Sequence, residues 1–153
     1  MRAGSWRRVI AVAMLLASAG CASRQLPAVG PSIPANSDVA TALVVEQFLR
    51  AAGTNDLDAM ARLFGTRDGP TMRRDSKQVV ERQMFALASI LRNEGYSIPG
   101  RNIVPGRRDE ATQLIVRMKL KDREVDVPWT LVYSKDGTWL VEQIEITRIT
   151  SGR

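Results

Sequence analysis

After Gly95 the spacing of apolar residues changes, and this change constrains the fold of the chain more than any other feature. Before it, apolar residues recur every three or four positions. Val44, Val45, Phe48, Leu49 and Ala52 share one face of a helix that Ser37-Asp38 can cap and that runs to about Ala52. Gly53-Thr54-Asn55-Asp56 breaks it. Leu57, Met60, Ala61 and Phe64 then fall at i, i+3, i+4 and i+7 of a short second helix, stopped by Gly65. Residues 65–75, GTRDGPTMRRD, read as a loop around Gly69-Pro70. Asp75 or Ser76 caps a third helix to about Asn93, with Val80, Met84, Leu87 and Leu91 as its stripe and Val79 and Ile90 alongside.

Beyond Gly95 the period is two, which is the period of a strand with one buried face. A weak first strand lies within 96–105, made irregular by Pro99, Gly100 and Pro105. Leu114, Val116, Met118 and Leu120 alternate with Ile115, Arg117, Lys119 and Lys121. Val125, Val127, Trp129, Leu131 and Tyr133 alternate with Glu124, Asp126, Pro128 and Thr130. The short link Lys121-Asp122-Arg123 makes these two a hairpin, and Asp136-Gly137 signals another. In the last strand Trp139 and Val141 share one parity, Ile144 and Ile146 the other. A one-residue slip exchanges the faces of a strand. A β-bulge near Glu142-Gln143 is therefore expected, keeping all four on the core side and bending the sheet. Helices followed by an antiparallel meander make an α+β fold: N-terminal helices on the concave side of a strongly curved sheet of about four strands.

The N-terminus is of a different kind. Arg2, Arg7 and Arg8 precede a short apolar run, Val9 to Ala17, and then the small residues Ser18, Ala19 and Gly20. This is the layout of a secretory signal. The run is shorter than the roughly 20 apolar residues of a membrane span. It ends at Cys21, the one cysteine of the 153-residue chain. A lone exported cysteine has no intramolecular disulfide partner. Ala19-Gly20-Cys21 resembles the lipobox of bacterial lipoproteins, although Ser18 stands where leucine is common. The resemblance implies cleavage between Gly20 and Cys21 and acylation of Cys21. It also implies a membrane anchor, since each buried CH₂ adds about 0.8 kcal/mol and two or three chains hold stably. Ala22 after the cysteine goes, in Gram-negative lipoproteins, with the outer membrane and a domain facing the periplasm. The other reading is an ordinary signal with Cys21 left as a thiol. Residues 22–36, ASRQLPAVGPSIPAN, resist helix and strand and read as a tether. The expected organisation is a signal over 1–20, a tether over 21–36, one domain over 37–150 and a tail over 151–153.

Losing the signal removes three arginines and no acids, so the net charge falls from +6 to +3. A mild +3 with no basic run does not argue for nucleic acid. The chain has no histidine, hence no Cys/His zinc site and no Ser/His or Cys/His nucleophile pair. No glycine-rich phosphate loop is present, and neither cofactor nor metal is implied.

The stretches VVEQFLRAAGTNDLDAMARLF and VPWTLVYSKDGTWLVEQIEI resemble the opening helices and last two strands of the nuclear transport factor 2-like superfamily, a cone of helices on a curved sheet. The resemblance spans about 38–150. Members include isomerases, cyclases, dehydratases, transport adaptors and domains without known activity, so it implies a fold and not a function. It implies a cone whose candidate lining is Phe48, Phe64, Met84, Leu87, Met118, Trp129 and Trp139. These residues either fill the core or line a pocket for a small apolar ligand. The carboxylate to consider as an acid or base is Glu142 at the expected bulge, with Tyr133 as a donor if both face the pocket. Arg67, Asp68, Arg73 and Arg74 either decorate a connector or form a lip over the cone mouth that meets an anion. The expected role is a small-ligand or protein-interaction module of the cell envelope. The alternatives are a small lyase or isomerase, and a secretion-apparatus subunit. A homodimer through the outward sheet face is a further expectation.

Overall fold

The computed structural model describes residues 37–151. Residues 1–36, on which the expected signal, Gly20, Cys21 and the expected tether fall, and the last two residues lie outside the described residues. Three helices come first: α1 (Ser37–Thr54), α2 (Leu57–Leu63) and α3 (Lys77–Ile90). Between α2 and α3 sits a small hairpin, β1 (Gly65–Thr66) and β2 (Gly69–Pro70), followed by a 3-10 turn (Thr71–Arg73). Four longer strands follow: β3 (Gly95–Ile103), β4 (Ala111–Lys119), β5 (Glu124–Tyr133) and β6 (Trp139–Ile144). A short α4 (Thr147–Thr150) comes last. The long strands lie in the order β3-β4-β5-β6, with every neighbour antiparallel. This is the α+β arrangement expected from the change of period, and β3 begins at Gly95 itself.

The helix boundaries follow from local chemistry. Asn55 adopts a left-handed φ of 55° and turns the chain out of α1, a conformation that asparagine tolerates better than most residues. The carboxylate of Asp56 then accepts the Ala59 N–H at 2.9 Å and caps α2, a contribution of about 1 kcal/mol.

In the sheet, Thr130 faces Gln143 but Leu131 faces Val141, so Glu142 is the extra residue of a bulge. Trp139, Val141 and Ile144 are thereby all buried. A second register shift, between Ser97 and Gly100, falls at Pro99, which has no N–H for the ladder. The last strand is shorter than the apolar pattern suggests. The Glu145 N–H still reaches the Pro128 carbonyl at 3.0 Å, but the Ile146 N–H turns back to the Ile144 carbonyl at 2.8 Å. The chain then enters α4, which the alternation did not foretell, and Ile146 packs on the core from outside the strand.

The GTRDGP segment is a clasp on the β5–β6 turn. The Arg67 carbonyl accepts the Lys135 N–H at 2.8 Å. Lys135 donates to Asp68 at 2.6 Å, Arg73 pairs with Asp136 at 2.5 Å, and Arg67 pairs with Glu110. Arg67 and Arg73, two of the arginines suggested for an anion, therefore already face carboxylates.

The hydrogen bond and charge of Lys135 hold the Asp68 carboxyl below the ordinary carboxylate range. A depressed folded-state pKa adds stability above the unfolded value, and that contribution is lost as pH falls through the folded value. The clasp is thus closed at neutral pH and loosens only in acid. In an NMR titration the Asp68 carboxyl is expected to ionise at lower pH than an unfolded-chain aspartate, and to return towards it in Lys135→Met. Equal midpoints in the two proteins would contradict the clasp.

Candidate functional site

The inside of the cone is packed. Phe48, Met84, Met118 and Trp129 have no exposed surface. They come from α1, α3, β4 and β5, so each layer contributes to one cluster. The Phe48 and Trp129 rings meet edge-to-face, 5.6 Å between centroids at 85°, and the Phe64 ring lies 6.2 Å from that of Phe48. Such edge-to-face pairs add about 0.5–1.5 kcal/mol beyond the area they bury. The indole N–H groups of Trp129 and Trp139 are both buried and find no hydrogen-bond partner among the described residues.

The remaining candidates reach the surface at two separate places. Phe64, Leu87 and Glu142 line a shallow groove of about 320 Å³ between α3 and β6, together with Ile90, Ile144 and Ile146. Trp139 lies at the far end of β6 and floors a depression of about 370 Å³ beside Ser37, Arg101, Ile103 and Arg108. The Tyr133 ring meets that of Trp139 at a tilt of 55°, with 5.3 Å between centroids. Its hydroxyl sits against Gly137, where an added Cβ would lie 3.6 Å from it. The structure therefore does not bring Tyr133 and Glu142 together. A third depression, of about 320 Å³ between α2 and α3, contains none of these residues.

Glu142 has a partner that sequence reasoning missed. Arg107, in the β3–β4 connection, donates to both carboxylate oxygens at 2.6 and 3.1 Å. These hydrogen bonds raise the Arg107 pKa against the opposing effect of its partial burial. A two-pronged arginine fork fixes the carboxylate's orientation. The bulge does re-aim Glu142, as bulges do, but towards a cation and the rim of the α3–β6 groove. No periodic signal marks Arg107, because it lies in a turn 35 residues before its partner.

On the outer sheet face Arg117 forks onto Asp126 at 2.8 and 2.9 Å, the cross-strand pairing that alternation implies. Among the described residues no three histidine, cysteine, aspartate or glutamate side chains converge as a metal site. No described helix is long and apolar enough to cross a membrane.

No protein-family model matches the chain, and no curated protein matches it in sequence. A solved structure similar to it is that of an NTF-2 like protein of unknown function from Silicibacter pomeroyi DSS-3. The two are 16% identical, the match covers 70% of this chain and 91% of that one, and the TM-score is 0.47.

Proposed function

We propose that this chain is a lipid-anchored protein of the cell envelope whose single domain recognises another envelope protein through its surface. The observation that carries this reading is the packed cone. With Phe48, Met84, Met118 and Trp129 closed off from solvent, the apolar surface on offer is shallow and lies outside, and part of it is the groove of Phe64, Leu87, Ile90, Ile144 and Ile146. Small-molecule sites instead bury most of their ligand in a concave pocket, so the small-ligand form of the reading has less support. Anchoring rests on the Ala19-Gly20-Cys21 pattern, and the outer membrane on Ala22.

A lyase or isomerase would need a carboxylate free to take a proton near its substrate. Both oxygens of Glu142 instead accept hydrogen bonds from Arg107. No feature of the chain supports the secretion-apparatus reading specifically.

Ala86 is exposed and lines the α3–β6 groove, so Ala86→Arg blocks the groove without touching the core. A photoreactive group at Gln83, in the same groove, is expected to capture one envelope protein in intact cells. Ala86→Arg should reduce that capture by about tenfold or more, on the scale of an arginine placed in an apolar contact, with an unchanged melting temperature. Equal capture by both proteins would contradict the groove as the recognition surface.

A further inference from the structure

The clasp brings together the two Asp-Gly steps of the chain. That dipeptide occurs at Asp68-Gly69 and Asp136-Gly137 and nowhere else in the 153 residues. The two steps face each other: a Cβ added at Gly69 would lie 3.2 Å from Asp136 Oδ2 and 3.5 Å from Arg73 Nη1. Each carboxylate takes a cation from the opposite segment. Lys135 Nζ lies 2.6 Å from Asp68, and Arg73 Nη1 lies 2.5 Å from Asp136. The glycines are fixed by the backbone. Gly69 has a φ of 118° and Gly137 a φ of 78°, a region in which other residues are strained.

An aspartyl bond before glycine isomerises readily, because no side chain shields the glycine nitrogen. That nitrogen attacks the aspartyl Cγ. The new N–Cγ bond closes a succinimide, and the carboxyl OH and the amide proton leave as water. Water then adds back to the ring. Cleavage of the N–Cγ bond restores aspartate. Cleavage between the nitrogen and the main-chain carbonyl gives isoaspartate, with the chain now running through Cγ.

We propose that the clasp is a latent modification site, in which Lys135 and Arg73 keep Asp68 and Asp136 from isomerising to isoaspartate. A carboxylate bound to the opposite segment has to leave its partner before it can turn onto its own glycine. At Asp68 the cation also favours the ionised carboxylate, which is a poor target for a nucleophile. At Gly137 the nitrogen is held as well, since its N–H donates to the Ser134 carbonyl at 3.0 Å. Isoaspartate adds one carbon to the main chain. At position 68 that carbon would fall in the link between β1 and β2, where Gly65 and Gly69 already approach too closely for a Cβ. The hairpin and the clasp would open together, and refolding would not reverse the change.

Peptide mapping of the full chain tests this. The parent, Lys135→Met and Arg73→Met are kept in warm neutral buffer, and isoaspartate at each step is read by electron-transfer fragmentation. Lys135→Met is expected to speed isomerisation at Asp68, and Arg73→Met at Asp136, by about two- to fivefold, the factor by which losing one exposed ion pair raises the population of the freed form. In each variant the other step should change less, and Lys135→Arg should keep the parent's rate at Asp68. Equal rates in the parent and both variants would overturn the inference. So would equal acceleration of both steps in either variant, which reports a general loosening of the fold and not two separate locks.

Discussion

Replacing Trp129 by alanine is expected to cost about 3–5 kcal/mol, the range for removing a large aromatic side chain from a closed core. Trp129 is fully buried, faces Leu114 and Ile144 on the neighbouring strands, and meets Phe48 edge-on. Its removal opens a void at the centre of the cone that the helices cannot fill without moving. Against a total stability of about 5–15 kcal/mol, this is a large fraction, and urea denaturation measures it directly. Trp129→Phe keeps a ring and removes an N–H that has no partner among the described residues, so its cost should be well under half as large. Losing an unsatisfied donor relieves its burial penalty, about 1–3 kcal/mol, against the lost contact. If Trp129→Ala costs less than about 1 kcal/mol, the cone is not a packed core. The pocket reading then regains its force.

Gly65→Ala is expected to destabilise by about 3 kcal/mol, the upper part of the range for overpacking. A Cβ at this position would lie 2.4 Å from the Gly69 carbonyl oxygen and 2.8 Å from the Pro70 Cα. Both are backbone atoms of the facing strand, so no side chain can swing aside. The small hairpin would have to open, and with it the ion pairs that fasten residues 65–75 to the β5–β6 turn. Gly53→Ala is the matched control. It lies in the last turn of α1 with nothing within 4 Å of its added Cβ. There the gain in helix propensity should stabilise by about 0.5–1 kcal/mol. Thermal melts of the two proteins should therefore move in opposite directions. A Gly65→Ala protein as stable as the parent would contradict the close approach of β1 and β2.

The clearest sequence signals were those in which one residue type recurs on one face. Of the stripe Val44, Val45, Phe48, Leu49 and Ala52, the last four became the buried side of α1, and Val44 is partly buried against the core. The alternation of Leu114, Val116 and Met118 became the buried face of β4. The change of parity between Val141 and Ile144 placed a bulge near Glu142-Gln143, because apolar side chains on opposite parities cannot share a core without one extra residue, and the register puts that residue at Glu142.

What escaped the sequence depends on contacts distant along the chain. β1 and β2 are two residues each, too short for any periodicity. Their place is set by pairs such as Asp68–Lys135 and Arg73–Asp136. The fork of Arg107 on Glu142 belongs to the same class, and it changes the chemistry of the one carboxylate that the sequence singled out. Val132 and Leu140 are opposed on β5 and β6 and buried on the face that alternation assigns to solvent. Burial of both faces at that end of the sheet is a tertiary effect, and no pattern within one strand records it.

Cys21 carries the proposed anchor, and intact mass tests it. The protein extracted from native membranes is measured beside its Cys21→Ser variant. The predicted result is a chain beginning at Cys21 with the added mass of a diacylglyceryl group and a further acyl chain, absent from a variant that no longer partitions with membranes. An unmodified chain cut near Gly20, found in the soluble fraction, would contradict the anchor and make this a free exported domain.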